Sequence, residues 1–378
     1  MTSKISGTSI LGSLSSLVAN TSQNMGSLDF ASCADIALNT LMDRWYQFGK
    51  GTWSGLGWWN SANALEMVIN YSFKRPLDNN SAIIRDIYDN GKNKYLGNFI
   101  TNYYDDDGWW GLALVRAYDL TQLADYLKMA ESIFNEILGG WDEQTCSGGV
   151  WWNVTRREKN AIENELFITL ATRLYLRTGN DSYLGWAKRA LDWFDQTGMQ
   201  GPSGLINDGV DLKTCRSNQK TAWTYNQGVI LGGLADLHKI TGEYQYLVRA
   251  RRIATAAMTN LVDGNGILTE PCESTPDGCG ADGPQFKGIF VRYLSYLHDW
   301  ELEFLSQSSP VSLGISMRED REFLATCESF ITRQATSIWN NNRDGNDTLG
   351  LHWAGPHTGA DASTQSSALD ALVGAIPF

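Results

Sequence analysis

The sequence predicts an all-α fold, an (α/α)6 barrel of six inner and six outer helices, and three observations carry that prediction. A short pattern recurs along the chain with a period near sixty residues. Helices of two kinds alternate, one apolar on a single face and one apolar nearly all round. A glycine-containing loop with an aromatic or aliphatic residue precedes each helix of the second kind.

The recurring pattern is Tyr126-Leu127-x-x-Ala130, Tyr183-Leu184-x-x-Ala187 and Tyr246-Leu247-x-x-Ala250, spaced 57 and 63 residues apart. Thr178-Gly179 and Thr241-Gly242 precede the last two, and a glycine at that place reads as a helix C-cap. Such self-similarity marks a repeated supersecondary unit. Leu184, Ala187, Leu191 and Phe194 draw one apolar stripe among Lys188, Arg189 and Asp192, as an outer helix does. Ala161 to Leu176 instead carries Ile162, Leu166, Phe167, Ile168, Leu170, Ala171 and Leu174 on every side, as an inner helix does. Inner helices are expected over 60–73, 107–120, 161–177, 224–240, 285–298 and 361–375. Outer ones are expected over 30–48, 82–103, 122–138, 182–197, 244–262 and 318–340. Six such hairpins close into a double-walled toroid, and an open α-solenoid with the same local signature is the structural alternative. No linker divides the chain. Residues 30–378 therefore read as a single barrel domain behind an extension, 1–29, that is either a weak signal segment or disordered.

Composition narrows the function. Hydrophobic residues make up 43% of the 378, enough for a large core and too many for a disordered chain. The net charge of −12, with no long Lys/Arg run, argues against nucleic acid and anionic membrane as partners. No stretch approaches the roughly 20 apolar residues of a membrane span. Fifteen Trp beside 15 Tyr exceed what core packing selects, because a buried indole N–H needs a partner, and flat indole faces stack on sugar rings. An aromatic-rich core is the plainer account of the same excess.

Six cysteines occur without a CxxC pair and beside only four His, so neither zinc nor any other cofactor is expected. Three disulfides in an oxidising compartment fit the even count. Cys272–Cys279 is expected across the loop of Pro271, Pro276 and Gly278, with Cys146–Cys215 and Cys33–Cys327 as the other two. Sequons at Asn20, Asn70, Asn79, Asn153, Asn180 and Asn346 agree with a secreted or wall-associated monomer.

The loops before the inner helices read GLGWWN, DDDGWWG, SGGVWWN, SGLINDG, GNGILTE and LGLHWAGP. Alternating hairpins place them all at one end. Trp58, Trp59, Trp109, Trp110 and Trp152 would then line a cleft there, with some aromatics capping the core. The strongest local signal is Tyr103-Tyr104-Asp105-Asp106-Asp107-Gly108-Trp109-Trp110. Capping explains one acid: Asp107 reads as an N-cap, with the upstream acids favoured by the helix dipole. It does not explain three acids between large aromatics. Catalysis does, because breaking a glycosidic bond takes two carboxyl groups of opposed protonation. They stand about 5–5.5 Å apart in a retaining enzyme and roughly 6.5–9.5 Å apart in an inverting one, and neighbouring residues on a turn can meet either requirement.

The segments NYYDDDGWWGLALVRAYDLT, GGVWWN, KNAIENELF, NDG, WTYNQGVILGGL, QFKGIFVR, LGLHWAGP and STQSSALDALV resemble glycoside hydrolase family 76, the endo-α-1,6-mannanases, and in particular their fungal secreted members. The likeness runs from about residue 30 to the end. It implies an (α/α)6 barrel that cleaves α-1,6-linked mannan by a retaining mechanism, with Asp105 as nucleophile and Asp106 as general acid/base. Asp107 departs from the family pattern, where Glu is common, but keeps a carboxylate.

Tyr104, Asn164, Asp208, Tyr225, Asn226, Gln227, Gln285 and Lys287 match the family and sit at, or just before, the starts of inner helices, as candidate substrate contacts. Asp208 in NDG is equally an ordinary turn residue. The polar run 225–227 can find its partners in substrate or in loop backbone. Glu163 and Glu165 belong to the cleft or cap their helix, and His238 and His298 read as core residues. A transglycosylase using the same aspartates, and a glycan-binding barrel without activity, are the competing functions.

Overall fold

The computed structural model describes residues 28–76, 80–307 and 317–377, so the expected extension over 1–29 and the sequons at Asn20 and Asn79 lie outside the described residues or at their edge. Among the described residues twelve α-helices alternate. The outer set is α1 (Phe30–Trp45), α3 (Ser81–Gly91), α5 (Ala124–Leu138), α7 (Asp181–Thr197), α9 (Gln245–Asn260) and α11 (Met317–Asn341). The inner set is α2 (Trp58–Lys74), α4 (Tyr104–Thr121), α6 (Ala161–Thr178), α8 (Thr224–Thr241), α10 (Phe286–Gln307) and α12 (Ala362–Gly374). Each inner helix packs on the next, and α12 packs back on α2. The ring is closed, which removes the solenoid alternative. Two short hairpins complete the regular structure: β1 (Tyr46–Gln47) with β2 (Thr52–Trp53), and β3 (Val210–Asp211) with β4 (Arg216–Ser217).

Burial follows the two helix types. On α6 every residue from Ala161 to Leu174 is buried, whereas α7 buries mainly one face, including Tyr183, Ala187, Ala190, Leu191 and Phe194. The sixty-residue pattern belongs to the outer ring, where its tyrosines reach back to the preceding outer helix. The Tyr126 ring meets Tyr88 of α3 edge-on at 4.8 Å, and the Tyr183 hydroxyl donates to Glu131 of α5 at 3.2 Å. Gly179 and Gly242 cap α6 and α8 in the left-handed region (φ 65° and 72°). The inner ring closes tightly at Gly288, where a Cβ would stand 2.6 Å from Ser367 Cα of α12.

Three expectations fail. The outer helix expected over 82–103 stops at Gly91, because the Phe99 ring folds back over that glycine where a Cβ would stand 2.3 Å from it. Residues 92–103 form a loop instead, with Asn98 and Phe99 at positive φ. Helix α4 begins at Tyr104, three residues before the expected start, so Asp107 is not its N-cap. Cys146–Cys215 and Cys272–Cys279 are bridged, but Cys33 and Cys327 are free thiols, each sealed in the core beneath its own outer helix, α1 or α11.

The loops before the inner helices bond to one another in sequence around one end of the barrel. Tyr104 N donates to Trp152 O at 3.0 Å, Ala161 N to Asp208 O at 2.8 Å, and Lys287 Nζ to Leu351 O at 2.8 Å. A shared device pins them. The fourth residue of α4, α6, α8 and α12 is Asp107, Asn164, Gln227 or Gln365. Each accepts a backbone N–H from the loop before its helix, from Thr101 (2.7 Å), Val150 (2.8 Å), Ile206 (2.8 Å) and Leu349 (2.8 Å) respectively. Buried loop backbone demands such partners.

Candidate active site

The acidic run occupies the first turn of α4. Tyr103 is extended and bridges Asn153, so the chain enters the helix at Tyr104 and sets Asp105, Asp106 and Asp107 at its second, third and fourth positions. The helix dipole favours negative charge there. Asp107 turns inward, fully buried, and its Oδ1 takes Thr101 N–H and hydroxyl. Its role is the loop clamp that Asn164 plays on α6.

Asp105 and Asp106 remain partly exposed at the mouth, in different surroundings. Trp152 Nε1 donates to Asp105 Oδ2 at 2.8 Å, while Oδ1 has no partner at bonding geometry. Burial raises both acids above the usual carboxylate range. The Trp152 indole and the first-turn N–H groups hold Asp105 back. Like charges on Asp105, Asp107 and Asp282 drive Asp106 higher still. Asp106 is therefore raised further than Asp105, and the two titrate as a pair.

Four aromatic rings form a closed circuit at this end. Trp59 stacks on Trp109 at 5.6 Å, Trp109 on Tyr225 at 6.4 Å, Tyr225 on Phe286 at 3.9 Å, and Phe286 lies 6.2 Å from Trp59. Trp59 and Tyr225 keep part of their surface open, whereas Trp109 is nearly covered. Trp110 is not a sugar platform: fully buried, it packs between Trp58 (4.5 Å) and Phe99 (4.8 Å) inside the wall. Trp58 serves the same cluster, beneath Tyr95. Tyr104 is likewise covered, against Gly140.

Several polar candidates face the scaffold. Asn164 and Gln227 each bond both the N–H and the C=O of their loop residue, Val150 or Ile206. Gln285 bonds Asn60 and Ser366, and Lys287 bonds Glu273 and Leu351 O. All four are sealed from solvent, so the expectation that they touch substrate gives way to loop anchoring. Asp208 and Tyr225 stay partly open, and Tyr225 feels the charges of Asp105, Asp208, Glu163 and Glu165. Asn226 is buried with neither amide atom bonded. Glu163 closes a capping box with Asn160, while both Glu165 oxygens are buried without a partner. Sequence reasoning passed over Asp282 and Phe286, because a turn acid in GADGPQF and one more apolar residue carry no local signal. Among the described residues no group of three or more His, Cys, Asp or Glu is placed to hold a metal ion.

The glycosyl hydrolase family 76 model matches residues 29–376. The chain is 31% identical over 259 residues to the mannan endo-1,6-alpha-mannosidase DCW1 of Candida albicans, covering 63% of this chain and 57% of that protein. It is 29% identical over 315 residues to DCW1 of Candida glabrata, covering 78% and 66%. It thus spans only 57% to 66% of the length of these two relatives. Among solved structures, an alpha-1,6-mannanase of Salegentibacter with alpha-1,6-mannotriose superposes with a TM-score of 0.76 at 25% identity, over 92% of this chain and 99% of that one. That structure is of a variant made inactive by replacing two consecutive aspartates. Dfg5 of Chaetomium thermophilum, at 19% identity and a TM-score of 0.74, shares the fold.

Proposed function

From the premise that the chain belongs to glycosyl hydrolase family 76, we propose that it is an endo-acting hydrolase of α-1,6-linked mannan that works by a retaining double displacement. The observation that carries this reading is the consecutive pair Asp105–Asp106, partly open at the mouth, with burial and neighbouring acids raising Asp106 further than Asp105. Inactivation of the Salegentibacter relative at two consecutive aspartates supports it.

Asp105 attacks the anomeric carbon while Asp106 gives its proton to the departing glycosidic oxygen, leaving a mannosyl ester on Asp105. Asp106, now ionised, takes a proton from water, whose oxygen displaces Asp105 and restores the α configuration. Trp59, Tyr225, Asp208 and Trp152 contribute the open surfaces for sugar faces and hydroxyls. The two disulfides support an oxidising compartment, hence secretion or the cell wall, and no described helix is long and apolar enough to cross a membrane. The test is incubation of the full chain with linear α-1,6-mannan, followed by chromatography. Short oligomannosides are the expected product. Chains longer than the substrate would assign transfer to a sugar acceptor, and an unchanged polymer would leave a binding barrel.

A further inference from the structure

The acid missed by sequence reasoning, Asp282, lies on the loop that follows the Cys272–Cys279 disulfide, and that loop is fixed from both sides. Behind it, Gly283 packs so closely on the bridge that a Cβ would stand 2.7 Å from Cys279 Cβ and 3.2 Å from Cys272 Sγ. Gly283 N–H also donates to Cys279 O at 3.1 Å. In front, two loop residues grip two consecutive residues of α2. Asp282 Oδ1 accepts the Trp59 indole N–H at 2.9 Å, and Gln285 exchanges hydrogen bonds of 2.8 and 3.0 Å with Asn60. A carboxylate acceptor makes the Trp59 bond a strong one, and it sets the angle of the ring that stacks on Trp109 and Phe286. Asp282 itself is exposed, and among the described residues no ion pair neutralises it.

We infer that Asp282 is a positioning residue for the aspartate pair: it locks Trp59 as a sugar platform and holds an unneutralised negative charge within reach of Asp105 and Asp106. The inference rests on the retaining reading above. The largest other charges acting on the pair are also acids, Asp107 on Asp106 and Glu163 with Asp105, beside the neutral Thr101, Trp152 and Tyr225. None of the largest influences on Asp106 is a cation. Removing its charge lets Asp106 ionise at lower pH, which moves the basic limb of the activity profile down.

Two substitutions separate the roles, because Asn keeps an acceptor oxygen and drops the charge, whereas Ala drops both. On linear α-1,6-mannan, with the disulfides intact, Asp282→Asn keeps KM within about twofold of wild type and moves the basic limb of kcat/KM down by at least about half a pH unit. Asp282→Ala shows the same shift with KM raised about tenfold. Independently of activity, the Trp59 indole N–H resonance, assigned with Trp59→Phe, moves in Asp282→Ala and stays near its wild-type position in Asp282→Asn. Superposed pH profiles for wild type and Asp282→Asn, or an unmoved Trp59 resonance in Asp282→Ala, would overturn the inference. An inactive wild type with the resonance shifts as expected would overturn the retaining reading and leave the Trp59 lock standing.

Discussion

The two ends of the barrel bury acids in opposite company. Toward the floor, between the inner helices, Glu66 and Asp370 share Arg292 (3.0 and 2.6 Å), Glu66 also meets Arg173 (3.3 Å), and Asp119 binds Arg177 (2.6 Å). This network ties α2, α4, α6, α10 and α12 together beside a cavity of about 210 Å³. At the mouth, Asp105, Asp106, Asp107, Glu163 and Glu165 have no ion pair among the described residues. At the floor Glu66 is held below the usual carboxylate range although burial opposes it, because Arg292 and Arg173 prevail. Asp370 is pushed up to about 6, so even there burial can outweigh one arginine. At the mouth no ion pair offsets burial, and every one of these five acids is raised, Glu165 despite the charge of Arg249. The difference separates charge that assembles the barrel from charge kept poised for proton transfer.

Substitution at each end tests that separation, and the largest effects belong to the mouth. Asp105→Asn and Asp106→Asn are each expected to lower kcat by about 10²–10⁴-fold without lowering the thermal midpoint, since each removes like-charge repulsion and no ion pair. Azide distinguishes the two roles. Asp106→Ala supplied with an α-mannobiosyl fluoride should yield an α-mannosyl azide, and Asp105→Ala the β anomer, by NMR of the product. A β product from Asp106→Ala would reverse the roles.

Arg292→Met should show the opposite signature. It strands Asp370 in the core, leaves Glu66 with Arg173 alone, and is expected to cost about 3–5 kcal/mol in urea unfolding, with kcat/KM of the folded fraction preserved. Equal loss of stability in Arg292→Met and Asp105→Asn would dissolve the distinction between the ends.

The third effect is a pH dependence of stability. Glu165 is raised on folding because burial disfavours its charge, so the folded state binds its proton more tightly than the unfolded chain. Its contribution is therefore fully present below the ordinary glutamate range and is lost as pH rises toward the raised folded value. Glu66 is shifted the other way and contributes only above that range. Urea midpoints measured from pH 4 to pH 9 should decline less steeply in Glu165→Gln than in wild type. A steeper decline in the variant would mean that Glu165 is ionised and paired.

Much of the fold was legible because inner and outer helices differ in something the sequence displays, the width of the apolar stripe. Closure of the ring was not, since it rests on α12 meeting α2 across nearly the whole chain. The acidic run was legible as a site, but its register was not. Cap preference marks one Asp before a helix, and nothing local shows that Thr101 will present its N–H to the fourth helical residue. Asp282 was invisible for the same reason, because its partner lies 223 residues away. The even cysteine count misled at Cys33 and Cys327, where two thiols serve as small apolar core residues.

The smallest expected effect is at Asp107, and it decides how the acidic run is read. Asp107 shares the mouth's raised proton affinity, up to about 8, yet its carboxyl points away from the cleft into the Thr101 clamp. On α6 the same helical position is Asn164, whose Oδ1 accepts Val150 N–H while its Nδ2 donates to Asn160 O one turn back. Asparagine therefore already performs this task in the same protein. Asp107→Asn should reproduce it, with Nδ2 turned toward Tyr103 O, and should keep kcat within about tenfold of wild type, a barrier change under about 1.4 kcal/mol. Asp107→Ala removes the clamp, leaves Thr101 N–H buried and unbonded, and should cost about 1–3 kcal/mol of stability. The two variants together distinguish a clamp from a reacting acid. A clamp tolerates Asn and fails with Ala, whereas a proton donor fails with both. If Asp107→Asn were inactive while Asp105→Asn stayed active, the reacting pair would lie one residue further along the helix, at Asp106 and Asp107.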